Sequence, residues 1–385
     1  MEVKIGIVLN YKAAEKKKDE LLSNKDFLVN ARAPEYKNYV IVKGKKVYVP
    51  DDVAIGMYIE NFPKNDQFNF IIDYITPDEI SSARFKQNDI VFIIIFDLLE
   101  AFHLSNKGLY NKYKNVLKNA SNVYPPYSYQ KFVNNKCTYY KYLKDKGLPV
   151  APTQCITKNK WQTRDSDEYV DKLIKKVNHN KWESIIAKPV YGQESLDFAK
   201  FLSKPECSKP KDCSKSVCKN SLFCQKGRLK KYLNKNIPKY KSIIIQEYIP
   251  GFDKKNPEFR TFFLDGVYAY TIVTDDHSAY KPKQEGGTYN VNHWAFLMKF
   301  SQKVMDSLPK LNLPGIYRNP ILTRIDIGTG LPGAVNGYFI NEIEFVPSLY
   351  IDKTDFPIIE QIGDSLMFVA LEYYYAKSLP IKVKF

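Results

Sequence analysis

Two short segments near the C-terminus, residues 322–327 (LTRIDI) and 338–344 (YFINEIE), most constrain what this chain can fold into. Each alternates apolar and charged residues, which is the pattern of a β-strand with one buried face. If the two strands pair as a hairpin, three carboxylates and one guanidinium converge on a small area of sheet. The charged residues on the converging faces are Arg324, Asp326, Glu342 and Glu344.

Three carboxylates at close range repel one another, so a divalent cation is their natural occupant. Mg²⁺ takes hard oxygen ligands and keeps positions open for substrate phosphates, and Mn²⁺ is an alternative metal. The competing interpretation is a solvated strand face, which is the default for either strand taken alone. Features earlier in the chain suit phosphate chemistry and favour the metal interpretation.

The chain has 385 residues, enough for two or three domains. Its longest apolar run, residues 90–99, is interrupted by Asp97 and is too short to span a bilayer. The first residues lack the charge order and length of a signal peptide. We therefore expect a cytoplasmic protein without a membrane partner.

The net charge of +16 is unevenly distributed. Residues 200–241 contain thirteen Lys or Arg residues and only two acids. Such a density of positive charge should attract polyanions or acidic substrates. The segment lacks interleaved aromatic residues and any recognisable nucleic-acid-binding module, so nucleic acid is not favoured as a partner. We expect this basic insertion to lie at the surface, outside the core, and to steer an acidic acceptor toward the site.

The basic insertion also carries four of the six cysteines. They are Cys207, Cys213, Cys218 and Cys224. No Cys-x-x-Cys pair occurs, so the match to a structural zinc site is poor. A zinc site, a disulfide pair and ordinary thiols are therefore three alternative interpretations of these cysteines. Elsewhere, Cys137 lies on a helix face and is expected in the core.

The N-terminal region predicts an open α/β domain of residues 1–125. Residues 3–9, 70–75 and 90–96 are apolar, β-branched runs suited to a parallel sheet, and a hairpin surrounds Gly44. Pro125-Pro126 marks the end of this region.

The remainder alternates helix and strand signals. A helix over residues 134–147 is predicted by an Asn cap, by apolar residues at three- and four-residue spacing, and by Gly147 after the last turn. Strands follow at residues 185–189 and 243–249, and Asp265-Gly266 between apolar runs predicts a two-residue hairpin. An amphipathic helix from about Ile358 to Tyr375 ends the pattern.

The order of these motifs resembles the ATP-grasp superfamily, which includes D-alanine–D-alanine ligase, glutathione synthetase and the tubulin–tyrosine ligases. The likeness covers about residues 125–350 and implies an α/β (α+β ATP-grasp) fold after a pre-ATP-grasp domain. It implies an ATP-grasp domain over residues 126–385. Its nucleotide lobe would span about 150–250 and include the basic insertion, and its metal-binding lobe would span about 251–385.

The resemblance also implies roles for individual residues. The expected ATP contacts are Lys136 and Lys188, the adenine-reading segment Gln246, Glu247 and Ile249, the ribose acid Glu258, and Lys281 near the γ-phosphate. The expected Mg²⁺ ligands are Asp326, Glu342 and Glu344, although the family usually has Asn at the third position. The catalytic residues implied are Lys188, which would neutralise phosphate charge, and Arg324 or Arg260, which would stabilise the acyl phosphate. The phosphate loop is reduced to a single glycine in residues 191–195 (YGQES).

The resemblance implies a ligase that phosphorylates a carboxylate with ATP and lets an amine displace the phosphate, releasing ADP. The acceptor would be a small molecule or peptide, expected to be acidic, and oligomerisation is left open. One alternative is a kinase of the same fold acting on a polyanionic alcohol such as an inositol phosphate. Another is a catalytically silent ATP-grasp binding module. Fold alone does not name the substrate.

Overall fold

The computed structural model describes residues 1–9, 39–42, 45–48, 50–63, 67–95, 97, 99, 107–162, 165–191, 197–203, 209, 213–216, 219, 221–249, 258–274, 279–280 and 291–378. Within them, the strands in chain order are β1 (Glu2–Val8), β2 (Tyr39–Val42), β3 (Lys45–Tyr48), β4 (Asn69–Ile75), β5 (Ile90–Phe92), β6 (Val123–Tyr124), β7 (Thr153–Thr157), β8 (Ser184–Pro189), β9 (Ala199–Leu202), β10 (Ser242–Glu247), β11 (Glu258–Leu264), β12 (Val267–Thr274), β13 (Ala279–Tyr280), β14 (Leu311–Leu313), β15 (Ile316–Arg318), β16 (Leu322–Gly328) and β17 (Phe339–Glu344).

The helices of the same residues, in chain order, are α1 (Asp51–Glu60), α2 (Ser82–Lys86), α3 (Lys107–Asn119), α4 (Tyr127–Val133), α5 (Lys136–Asp145), α6 (Lys158–Gln162), α7 (Ser166–His179), α8 (Lys226–Tyr240), α9 (Val291–Ser307) and α10 (Ile358–Ser378). The chain is therefore a mixed α/β protein, as predicted. Among the described helices, none has the length and apolar character needed to cross a membrane.

The chain divides into two compact units. One comprises Met1–Lys131, Phe259–Asp326 and Ile343–Phe385, and the other comprises Phe132–Glu258 and Ile327–Glu342. The division falls within β16, after Asp326, and within β17, after Glu342.

The first unit contains a parallel sheet in the order β4-β1-β5-β6. Ile5 in β1 pairs with Ile72 on one side and Ile90 on the other, and it is fully buried. A parallel sheet covered on both faces accounts for the continuous apolar runs in the sequence. The strand predicted over residues 90–96 is shorter in the structure. It ends at Phe92, and the next residue, Ile93, is buried but lies outside the strand.

The second unit is built on an antiparallel sheet in the order β7-β10-β8-β9. On one face, Ile243 and Ile245 of β10 are fully buried against α7 and α8. Ile244 points to the opposite face and pairs with Cys155 of β7 and Lys188 of β8. Because directly paired residues share a face, Cys155 and Lys188 lie on the side of the sheet away from α7 and α8.

Helix α8 corrects one prediction about the basic insertion. We expected the whole segment to lie outside the core, but Leu229, Leu233 and Ile237 are fully buried. These apolar residues recur every four residues, so one face of the helix packs on the sheet while the lysines point outward. Those lysines find partners outside the insertion: Lys226 bonds to Asp171 at 2.7 Å, and Lys230 bonds to Asp167 at 2.5 Å.

Two local predictions are confirmed. Helix α5 is capped by Asn135, whose side chain accepts a hydrogen bond from the backbone N–H of Thr138 at 3.1 Å, and Gly147 after its end has a φ of +70°. Asp265 and Gly266 both have positive φ and turn β11 into β12, which is the geometry of a two-residue hairpin. These strands belong to a sheet in the order β13-β12-β11-β16-β17.

Candidate functional site

The guanidinium of Arg324 binds two of the predicted acids on β16 and β17. Its Nε and Nη2 donate to Asp326 Oδ1 at 2.7 Å and Oδ2 at 2.9 Å, and Nη2 also donates to Glu344 Oε1 at 2.6 Å. The side chains of Arg324 and Asp326 are only 5% and 3% exposed. All seven residues of β16 are buried, so this pair is part of the protein interior. Such burial argues against the solvated-face interpretation, since buried charges need partners.

The three predicted metal ligands lie together at these strands. One oxygen each from Asp326, Glu342 and Glu344 lies within 4.8 Å of the others. Carboxylate oxygens are the donors that Mg²⁺ prefers. The donor set therefore fits a hard divalent cation, with Arg324 offsetting part of the negative charge.

Lys136, a predicted ATP contact, binds one of the predicted metal ligands. Its Nζ lies 2.5 Å from Glu342 Oε1, and its side chain is 10% exposed. Lys136 is the first residue of α5, and Glu342 lies near the end of β17. The second unit thus brings a predicted nucleotide lysine and a predicted metal ligand into direct contact.

Lys188, the other predicted nucleotide lysine, is half-buried on β8 beside Tyr140 of α5. Its Nζ donates a long hydrogen bond of 3.4 Å to Tyr140 Oη and lies 5.7 Å from the centre of the tyrosine ring. Tyr140 Oη in turn donates to the backbone carbonyl of Asn341. The side chain of Asn341 donates to Glu258 Oε1 at 2.7 Å. A polar chain therefore connects Lys188 with the predicted ribose acid.

The predicted adenine-reading segment follows β10. The buried side chain of Gln246 donates to Thr153 Oγ1 at 3.0 Å, and the backbone N–H of Glu247 donates to the carbonyl of Pro152 at 2.9 Å. Burial, together with nearby Glu183, raises the pKa of the Glu247 carboxyl. Ile249 is buried in a small apolar cluster with Ala151 and Phe339.

Arg260 and Lys281 are the two remaining predicted site residues. Arg260 on β11 donates to Tyr350 Oη, and its guanidinium carbon lies 5.5 Å from the centre of the Tyr350 ring. Lys281 lies outside the described residues. Neither observation assigns these two residues a contact with substrate.

Some residues at the site were missed by the sequence analysis. They are Tyr140, Asn341, Tyr350 and Cys155. Tyr140 could have been found, because it lies four residues after Lys136 and therefore on the same face of α5. Cys137 is not an ordinary core thiol as expected, since it forms a disulfide with Cys155 across a Cα–Cα distance of 6.0 Å.

The cysteines of the basic insertion are partly described. Cys213 and Cys224 form a second disulfide, with Cα atoms 5.3 Å apart. Cys207 and Cys218 lie outside the described residues.

With this geometry established, comparison with solved structures identifies the fold. D-cycloserine synthetase DcsG superposes with a TM-score of 0.59 at 13% sequence identity, over 95% of this chain and 99% of that chain. D-alanine–D-alanine ligase from Bacillus anthracis complexed with ATP gives a TM-score of 0.53 at 11% identity, over 98% of this chain and 100% of that chain. The chain has the ATP-grasp fold.

A third similar ATP-grasp structure is the ligase PsnB complexed with minimal precursor, Mg and ADP. It superposes with a TM-score of 0.50 at 13% identity, over 95% of this chain and 98% of that chain. No protein-family model matches the sequence, and no curated protein matches it. The ATP-grasp fold predicted from the motif order is thus confirmed, and sequence identities this low show the fold alone.

Proposed function

We propose that the protein is a Mg²⁺-dependent ligase that uses ATP to join a carboxylate to an amine through an acyl phosphate. The observation that carries this proposal is the carboxylate trio of Asp326, Glu342 and Glu344, whose oxygens lie within 4.8 Å of one another beside Arg324. Clustered carboxylates repel one another, and a bound Mg²⁺ would relieve that repulsion. The ATP-grasp fold and its similarity to ATP-dependent ligases add support.

The roles of the residues follow from their charges and surroundings. Asp326, Glu342 and Glu344 would hold Mg²⁺, which would neutralise charge on the β- and γ-phosphates of ATP. Lys188 and Lys136 would contact phosphate oxygens, and Glu258 would accept hydrogen bonds from the ribose. Arg324 would stabilise negative charge that develops on the transferring phosphoryl group. Arg260 is a second candidate for that role.

The adenine contacts would come from the segment of Gln246, Glu247 and Ile249. The backbone N–H of Glu247 already donates to Pro152, so the adenine would be read by other groups of this segment. Residues 1–125 are proposed as the preceding domain and residues 126–385 as the ATP-grasp domain. The acceptor is proposed to be an amino acid or short peptide; PsnB, for comparison, is complexed with minimal precursor.

The test is to measure ADP release with Mg²⁺ and ATP across amino acids, short acidic peptides and inositol phosphates. A ligase releases ADP and free phosphate in equal amounts, and only when both a carboxylate and an amine are present. ADP formation with phosphate retained on an inositol phosphate would instead establish the kinase alternative. No stimulation of ADP release by any of these compounds, in a protein that binds ATP, would favour the binding module.

A further inference from the structure

Helix α5 makes three contacts with strands of the second unit, two with β17 and one with β7. Lys136 binds Glu342, Tyr140 binds the carbonyl of Asn341, and Cys137 is covalently linked to Cys155. Lys136 and Tyr140 are four residues apart and lie on one helix face. The helix is therefore the element that carries these side chains to their partners.

Two residues that α5 contacts, Cys155 and Lys188, lie in one row of the four-stranded sheet. Ile244 pairs with Cys155 on one side and with Lys188 on the other, so both partners lie on the face of the sheet that α5 covers. The disulfide from Cys137 and the contact from Tyr140 thus attach the same helix to two strands that flank one central strand. Fixing one attachment limits how far the other can move.

We propose that the Cys137–Cys155 disulfide is a positioning element for nucleotide binding, which holds Lys136 and Tyr140 in register with Glu342 and Lys188. This inference rests on the proposed function, since it assumes that these residues bind ATP. A dithiol reductant would break the S–S bond, each sulfur taking one electron and one proton while the reductant closes its own disulfide. Both cysteines are partly exposed as whole residues, which favours access by a small reductant.

The physical effect follows from preorganisation. Without the covalent link, the N-terminal turn of α5 samples positions in which Lys136 is displaced, and binding must then restore its order. A phosphate-contacting lysine displaced by about 1 Å loses much of its charge-assisted hydrogen bond. We expect the Kd for ATP to rise about three- to thirtyfold, while the sheet and its opposite face, packed by α7 and α8, persist.

The test compares ATP affinity, by calorimetry in Mg²⁺, for oxidised wild type, dithiol-reduced wild type and the double variant Cys137→Ser/Cys155→Ser. The matched control is Cys213→Ser/Cys224→Ser, which removes the other described disulfide of the same unit. The control should retain wild-type affinity, and reoxidation should restore the reduced wild type. Thermal melts of each form establish that it is folded at the assay temperature.

A double-mutant cycle separates positioning from general destabilisation. If the disulfide acts through Lys136, its removal in a Lys136→Ala background should weaken binding less than in wild type. Equal ATP affinity in oxidised wild type, reduced wild type and the Cys137→Ser/Cys155→Ser variant would overturn this inference but not the proposed function. An equal loss in the Cys213/Cys224 control would also overturn it, because the effect would then be nonspecific. Failure of oxidised wild type to bind ATP would overturn the proposed function and this inference together.

Discussion

Lys136 and Glu342 form an ion pair with an Nζ–Oε1 distance of 2.5 Å, which joins α5 to the carboxylate cluster. A lysine and a divalent cation both neutralise a carboxylate, so they compete for Glu342. We therefore expect two opposing effects of Lys136: it would contact ATP, and it would weaken binding of the metal alone.

Lys136→Ala should accordingly raise affinity for the metal alone and lower affinity for ATP. At an effective dielectric constant of about 20, two unit charges about 4 Å apart interact by about 4 kcal/mol, and solvent and side-chain relaxation reduce that figure. We expect the Kd of Mn²⁺, measured by electron paramagnetic resonance without nucleotide, to fall at least about threefold. Unchanged or weaker metal binding would mean that the metal does not use Glu342.

Removing a metal ligand should sharply reduce turnover, and a thermal melt of each variant establishes that it is folded at the assay temperature. Asp326→Ala and Glu342→Ala should each reduce ADP release by roughly 10²-fold or more, because charge on the transferring phosphoryl group is no longer neutralised. Asp306→Ala, at an exposed position on α9, is the matched control and should retain activity. Full activity in both ligand variants would contradict the metal-site assignment.

Lys188→Ala should weaken ATP binding by losing a charge-assisted contact of about 1.5–3 kcal/mol, or about 10- to 150-fold in Kd. Lys175→Ala, on the exposed side of α7, serves as the control for loss of one positive charge. Calorimetric titration of both variants checks the expectation. Wild-type ATP affinity in Lys188→Ala would show that Lys188 does not contact ATP.

Asp197 should give the second unit a pH-dependent contribution to stability. A hydrogen bond from Lys239, followed by one from Tyr240, lowers the pKa of the Asp197 carboxyl. Its contribution is therefore present above the unfolded pKa near 4 and is lost as the pH falls through the folded value. Asp197→Asn should lower the free energy of unfolding at pH 7 by about 1–3 kcal/mol. In urea titrations the difference from wild type should shrink toward pH 3; a difference independent of pH would contradict this reading.

Leu233→Ala tests whether the basic insertion contributes to the core. Leu233 is fully buried on α8, and truncating a buried leucine costs about 2–5 kcal/mol. The exposed neighbour Lys231 provides the control variant Lys231→Ala, expected within about 0.5 kcal/mol of wild type. Equal stabilities in chemical denaturation would show that α8 does not pack as described.

The sequence predicted those parts of the fold that depend on local pattern. The cap at Asn135, the turn at Asp265-Gly266 and the alternation in β16 are each encoded within a few residues, and each was predicted correctly. The acidic cluster was also predicted, because alternation fixes which side chains share a strand face.

The missed features depend on partners far away in sequence. Charge density suggested that residues 200–241 would stay outside the core, but Asp167 and Asp171 on α7 neutralise Lys226 and Lys230 and leave the apolar face of α8 free to pack. Likewise, nothing near Cys137 indicates Cys155 as its partner, since their pairing follows from how α5 lies on the sheet. The contact of Tyr140 with Asn341 has the same origin.

Transfer of an oxygen isotope from the substrate carboxylate to phosphate would distinguish an acyl-phosphate ligase from the alternatives. The protein is incubated with Mg²⁺, ATP and amino acids or acidic peptides whose carboxyl groups carry ¹⁸O, together with amine acceptors, and the released phosphate is analysed by mass spectrometry. We expect free phosphate carrying one ¹⁸O atom, formed in equal amount with ADP and lost in Asp326→Ala. Released phosphate without ¹⁸O, in a reaction that depends on the carboxylate, would contradict it.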